Sequence, residues 1–299
     1  MISIFRILIL ADIHGNTQAV AKLLSIVKKE RWLIDLVLIA GDLPETTPIG
    51  LMLQYIISHW NLSKSKYTRW VYEEGGRNLF VKRQIESVRT ILTLLGSLKV
   101  PIVYVPGNVD SFEAQHIIKT FLASEVYFLN ATGIQLGSLQ IWGYGGTIFS
   151  PKRYKEPLCD MEFYPNDFAS QLDPLFKIKP NKSSTYNILL THEPPAFYYK
   201  TARGIINGGS SELTKLINFL KPNLTVFGHY HEFPLIKSQN NTIFLNPGPL
   251  TRYYFALADI NEDLVKIGIK KMNPVRWDFK NIIYTRFSQH YKKIRFAKF

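Results

Sequence analysis

Cysteine is all but missing: Cys159 is the single one in 299 residues. One thiol cannot form a disulfide within the chain, and it argues against a metal site built from thiolates. Long hydrophobic runs are missing too. The first apolar run, residues 7–11, stops at Asp12, far short of the roughly 20 residues that cross a bilayer, and no signal-peptide cleavage pattern accompanies it. These absences set the expectation of a soluble, cytoplasmic chain with no membrane partner. Acid is in short supply: 23 Asp and Glu against 36 Lys and Arg leave a formal charge of +13. Such a balance suits nucleic acid, an acidic substrate or a solvated basic surface, so its placement decides what it means. Internal repeats are absent. With 46% hydrophobic and 20% charged residues, a disordered chain is excluded, and the length allows a sizeable α/β core.

What is present is a regular hydrophobic pattern. Residues 7–11, 36–40 and 102–105 are continuous apolar runs, the mark of strands buried on both faces. Between the first two, Val20, Leu23, Leu24 and Val27 recur at helical spacing, with Asn16 as a cap. Strand, helix, strand predicts a right-handed unit with parallel strands. The spacing predicts a second helix over 79–98, with Val81, Ile85, Val88, Leu92 and Leu95 along one stripe. Residues 186–190 and 225–227 read as further strands, and 243–245, 255–259 and 264–269 as closing ones. A short helix carrying Leu213, Leu216, Ile217 and Leu220 precedes 225–227, capped near Ser210 or Ser211. Residues 45–78 are irregular, with prolines at 44 and 48 and scattered aromatics.

The residues that follow these strands carry the chemistry. They are Asp12-Ile13-His14, Gly41-Asp42, Gly107-Asn108-Val109-Asp110, Thr191-His192 and Gly228-His229-Tyr230-His231. In open α/β sheets, ligands bind beyond the carboxyl ends of the strands, so five strand ends deliver such side chains to one edge. Carboxylate, imidazole and amide oxygen are donors that borderline divalent metals accept. Ligands two apart, as in Asp12/His14 and His229/His231, point to one side of an extended segment. Each piece alone has a bland reading: an Asp-x-His is commonly a surface pair, a Gly-Asp a turn, and a lone histidine a satisfied core residue. The order and the repeated placement at strand ends favour a shared site.

In that order, the five motifs resemble those of the calcineurin-like metallophosphoesterases, over residues 7 to about 270. Thr191-His192-Glu193-Pro194-Pro195 and Asn246-Pro247-Gly248 further resemble small prokaryotic phosphodiesterases of that family. The resemblance implies an α/β fold, a four-layer αββα sandwich of two mixed sheets flanked by helices. It implies a metallophosphoesterase domain over 1–272, with 45–98 a partly helical elaboration, and 273–299 as a separate extension. It implies two divalent metal ions (Mn, Fe, Zn or Ni). Asp12, His14, Asp42 and His231 would hold one, and Asp42, Asn108, His192 and His229 the other, with Asp42 as the bridge. Asp42, Asn108 and Asp110 would be the catalytic residues, and a hydroxide bridging the metals the nucleophile. The partner implied is a phosphoester, a small molecule or a nucleotide.

One position departs from the family. Val109 stands where a histidine is usual, and valine can neither donate a proton nor stabilise developing charge. A positioned acid contributes about 10²–10⁴-fold, so the expectation is activated or diester phosphates, or an acid recruited from His116, Tyr144 or Tyr230. The extension 273–299 holds seven Lys and Arg, one acid (Asp278) and seven aromatics. It fits either nucleic-acid binding or a terminal element packed on the core, and burial of so many aromatics favours packing. Arg203 and Arg252 lie near the later motifs, either as phosphate contacts or as simply exposed charges. The competing readings are a nuclease of the same fold and a metal-binding protein-interaction scaffold, as in the retromer subunit with this fold.

Overall fold

Alternation along the strands decides the layers. In β1 (Phe5–Leu10), Ile7 and Ile9 face one way and Leu8 and Leu10 the other, and all four are fully buried. β2 (Leu36–Ala40) and β3 (Ile102–Val105) repeat this on both faces. A strand buried on both sides needs a layer over each. The computed structural model describes residues 5–46, 76–121, 125–149, 157, 159–178, 186–201, 204–260, 264–272, 277–286 and 295–297.

β1, β2, β3 and β4 (Val126–Phe128) run parallel. The remaining strands, in chain order, are β5 (Thr132–Leu136), β6 (Leu139–Tyr144), β7 (Thr147–Ile148), β8 (Glu162–Phe163), β9 (Tyr186–Thr191), β10 (Phe197–Thr201), β11 (Gly204–Gly208), β12 (Leu224–Val226), β13 (Leu235–Gln239), β14 (Thr242–Asn246), β15 (Tyr254–Ile260), β16 (Leu264–Met272), β17 (Trp277–Arg286) and β18 (Arg295–Ala297). One sheet has the order β18-β17-β16-β15-β1-β2-β3-β4, with β15 antiparallel to β1. The other has the order β13-β14-β12-β9-β6-β5, parallel through its centre and antiparallel at both margins. Small two-stranded pieces, β7-β8 and β10-β11, lie beside them.

Ile7, Ile9, Leu38, Val103, Ile188, Leu190, Val226 and Leu245 meet in the core between the sheets. Helices α1 (Thr17–Lys29), α2 (Gly76–Gly96) and α3 (Phe112–Lys119) cover the outer face of the first sheet. Helices α4 (Pro165–Phe176) and α5 (Ser211–Leu220) cover the second. The four-layer αββα sandwich of two mixed sheets expected from the motifs is the fold this chain adopts. Asn16 caps α1 by accepting the Ala19 N–H at 2.9 Å, and Ser210 caps α5 through the Leu213 N–H at 3.1 Å.

Two differences from the sequence pattern matter. The stripe on α2 is only partly apolar: Val88, Ile91, Leu92 and Leu95 are buried, but Gln84 and Ser87 take the inner positions toward the N-terminal end, while Val81 and Ile85 are half-buried. Between residues 112 and 185 the apolar pattern predicts nothing, yet α3, β4 to β8 and α4 lie there. Their strands have two to six residues, and α4 carries Pro174 inside it. Most of the irregular stretch after Asp42, residues 47–75, lies outside the described residues. In the C-terminal extension, the backbone of β17 pairs antiparallel with β16 and that of β18 with β17. Among the described residues no helix is long and apolar enough to cross a membrane.

Truncating the inter-sheet core should therefore cost far more than truncating the surface. Leu190→Ala, at a fully buried position, is expected to lower stability by about 2–5 kcal/mol in urea unfolding. Leu33→Ala, at 83% exposure, is expected to stay within about 0.5 kcal/mol.

Candidate metal centre

Asp12 and His14 follow β1, Asp42 follows β2 and Asn108 follows β3, while His192 follows β9 and His229 and His231 follow β12. The first three strands belong to one sheet and the last two to the other. The residues meet where the carboxyl ends of the two sheets come together. Asp12, His14, Asp42 and His231 present donor atoms that all lie within 4.8 Å of one another. His14 Nε2 is 3.2 Å from His231 Nε2, which is 3.1 Å from Asp12 Oδ1. A second group adjoins. His192 Nε2 is 3.3 Å from Asp42 Oδ2 and 3.2 Å from Asn108 Oδ1, and the His192 and His229 ring centroids are 5.2 Å apart. Asp42 belongs to both groups, because the same Oδ2 lies 3.6 Å from His14 Nε2.

The backbone is bent hard to achieve this. Asp12, His14, Asp42 and His229 have φ of +50°, +46°, +52° and +64°, in the left-handed region that few non-glycine residues enter. Hydrogen bonds hold the bends: the His14 N–H donates to the Asp42 carbonyl at 2.8 Å and the His229 N–H to Asp12 Oδ1 at 3.1 Å. Gly107 is required by contact: a Cβ there would fall on the Asp42 carboxylate. A Cβ on Gly41 would likewise fall on the His192 ring.

The donor set fits a cation. His192 Nδ1 is 2.8 Å from the Ala40 carbonyl, which only accepts, so Nδ1 carries the hydrogen. In the neutral ring Nε2 is then a lone pair facing two oxygens. Asp12 Oδ2 is buried with no hydrogen-bond partner. Acceptors crowded together in buried ground repel one another unless a positive charge, a proton on a histidine or a metal ion, sits among them, and mixed oxygen and imidazole donors suit a divalent metal.

The charges agree. Burial raises the Asp42 carboxyl, but the charge of His192 and its hydrogen bond outweigh it, and the group ends well below the usual range. Burial also raises Asp12, and His231 brings it back below its ordinary value. Burial lowers His192, but Asp42 pulls it up to about 10. His229 is pushed down to about 3 by burial and by His192. Asp110 is turned away from this set. Its fully buried carboxyl accepts from the Gly107 N–H at 2.6 Å and from the Tyr104 hydroxyl, and burial together with Asp42 raises it well above the carboxylate range.

Two supporting side chains carry no signal in the sequence. The Thr46 hydroxyl lies 2.5 Å from His14 Nδ1. Glu162 Oε1 accepts from Asn108 Nδ2 at 3.3 Å, turning the amide oxygen toward His192. Of the substitute acids, His116 is exposed on α3. Tyr144 lies in the outer layer of the second sheet with its hydroxyl 3.3 Å from Gln171. The Tyr230 hydroxyl accepts the Gly209 N–H at 3.1 Å. Arg252 is exposed, 3.5 Å from the His231 carbonyl and 3.8 Å from Glu232. Arg203 lies outside the described residues.

Comparison with known proteins agrees with the geometry. Residues 1–269 match the model of a family described as metallophosphoesterase, calcineurin superfamily. The UPF0046 protein K07C11.7 of Caenorhabditis elegans is 36% identical over 101 residues, which are 34% of this chain and 33% of that protein. The match thus spans about a third of that relative's length. One solved structure superposes with a TM-score of 0.67 at 18% identity, covering 89% of this chain and 98% of its own. The protein TT1561 of Thermus thermophilus superposes with a TM-score of 0.56 at 16% identity, covering 87% of this chain and all of its own. At these identities the two structures are similar in fold alone.

Because His192 is raised to about 10, its Nε2 holds a proton across the neutral range when no metal is present. A metal must displace that proton, so divalent-metal affinity should rise with pH and fall as pH drops. Titration with Mn²⁺ between pH 6 and 8, in two buffers of different ionisation enthalpy, should show tighter binding at the higher pH and net proton release.

Proposed function

The chain belongs to the calcineurin superfamily of metallophosphoesterases, hydrolases of phosphoesters, and from that premise we propose that it is a dinuclear-metal phosphodiesterase. The observation that carries the reading is Asp42 Oδ2, which lies 3.6 Å from His14 Nε2 and 3.3 Å from His192 Nε2. That carboxylate stands between the two sets of imidazole and oxygen donors, where it would serve as the ligand common to two ions. Asp12, His14, Asp42 and His231 would hold one ion, and Asp42, Asn108, His192 and His229 the other. Bound there, a metal pair supplies Lewis-acid polarisation of the phosphoryl oxygens and an activated water.

The chain's own residues do the rest. Asn108, oriented by Glu162, presents its amide oxygen while its Nδ2 is occupied. Asp42 Oδ1 is fixed by the Val109 N–H at 3.1 Å, so the carboxylate cannot swing. Asp110 fastens the loop that carries Asn108 through the Gly107 N–H. Val109, 8% exposed, offers only an apolar side chain, so the leaving oxygen departs without a proton from this position. That favours esters with good leaving groups, aryl and nucleotide diesters among them.

With Mn²⁺ added, the chain is expected to bind metal and hydrolyse bis(p-nitrophenyl) phosphate, and chelation is expected to abolish turnover. Metal bound without any turnover would instead favour a scaffold. Val109→His is expected to raise hydrolysis of alkyl phosphate esters by on the order of 10²-fold while changing aryl esters little. Equal gains on both ester types would remove the leaving-group explanation.

A further inference from the structure

The inner face of α2 should be apolar along its whole length, yet Gln84 sits on it with no exposure at all. A buried amide is costly unless its groups are bonded, and those of Gln84 are. Its Nε2 donates to the Val109 carbonyl at 2.7 Å and, more weakly, to the Glu45 carbonyl at 3.4 Å. Its Oε1 accepts the Ser111 N–H at 3.0 Å. One turn on, the Ser87 hydroxyl donates to the Gln84 carbonyl at 2.9 Å and accepts the Glu45 N–H at 2.9 Å. Glu45 belongs to the loop that carries Asp42, and Val109 to Ser111 belong to the loop that carries Asn108. Gln84 therefore ties together the two loops that leave β2 and β3.

We infer that Gln84 is a positioning residue for the centre, acting through the backbone of Val109. The Val109 carbonyl is held by Gln84, and the N–H of the same residue holds Asp42 Oδ1 at 3.1 Å. That fixes the rotation of the Asp42 carboxylate and leaves Oδ2 turned toward both His14 and His192. The Val109 position is thus a main-chain clamp, and its side chain is dispensable for that task. The inference rests on the metal-centre reading above.

The test is Mn²⁺ uptake by the full chain, followed by the loss of the free-ion paramagnetic resonance signal, with far-ultraviolet circular dichroism to check folding. Gln84→Met keeps the length and removes the bonds, and is expected to weaken Mn²⁺ binding by about 10-fold or more. Gln84→Glu separates positioning from mere folding. Protonated, the new carboxyl can donate to Val109 and accept from Ser111; ionised, it sets acceptors against the Val109 carbonyl. Its Mn²⁺ affinity relative to the parent should fall as pH rises, opposite to the parent's own trend. Thr242→Val removes a buried hydrogen bond of 2.7 Å to the Pro222 carbonyl, away from the centre, and should leave uptake unchanged. A folded Gln84→Met variant that binds Mn²⁺ like the parent would overturn the inference. So would Gln84→Glu tracking the parent at a pH where its carboxylate infrared band shows the new side chain ionised, which also decides the matter should the methionine variant not fold. A parent chain that takes up no Mn²⁺ overturns the metal-centre reading and this inference with it.

Discussion

The carboxylate of Asp42 is held at the seam between two sheets, with one oxygen on the Val109 N–H and the other facing histidines from opposite sides of the seam. Both sheets must end at the same level for this to be possible. His14 arrives from the same sheet as Asp42 and His192 from the other, and His192 does not reach Asp42 unless the inter-sheet core seats the sheets at one spacing. Interiors packed to crystal-like density fix such spacings closely. Gly41 and Gly107 are part of the same constraint, because any side chain on either would occupy the space of His192 or Asp42.

This arrangement is costly by itself. Four of the residues around it have left-handed backbones, each worth on the order of 1–3 kcal/mol of strain. Charged and polar groups lie buried beside one another, and Asp12 Oδ2 has no partner. The offset comes from elsewhere in the chain, from strands buried on both faces. Catalytic and ligand-binding sites commonly hold strain of this kind, where the surrounding structure over-determines it. Here the over-determination is visible in the paired backbone bonds from His14 and His229.

Much of this was legible in the sequence, and for a physical reason. Doubly buried strands write themselves as apolar runs, so β1, β2, β3, β9 and β12 and their terminal Asp, Asn and His residues stand out. The interior of α2 does not, because Gln84 takes an apolar position and is satisfied only by loops distant in the chain. The same holds for Glu162, 54 positions after Asn108, since no spacing rule connects a side chain to the group that orients it. Strands between residues 112 and 185 escape because polar residues and glycines interrupt them, as Gly133 and Gln135 do in β5 and Gln140 and Gly143 do in β6. The three residues offered as substitutes for the family histidine show what a sequence leaves out. His116, Tyr144 and Tyr230 have suitable chemistry, and only the structure shows their surroundings: His116 exposed, the Tyr144 hydroxyl beside Gln171 and the Tyr230 hydroxyl on the Gly209 N–H.

The topology of the first sheet also governs when the site can exist. β1 lies between β2 and β15, and its register pairs Phe5 with Ile260 and Ile9 with Ala256. Closing a loop of some 250 residues is slow compared with forming local contacts. During synthesis, Asp12, His14 and Asp42 emerge long before His231 and β15, so the early chain holds carboxylates and a histidine without the seam that organises them. An ion drawing donors from both sheets could be held only after the two sheets have docked. Such an ion would report that the last strands have found the first.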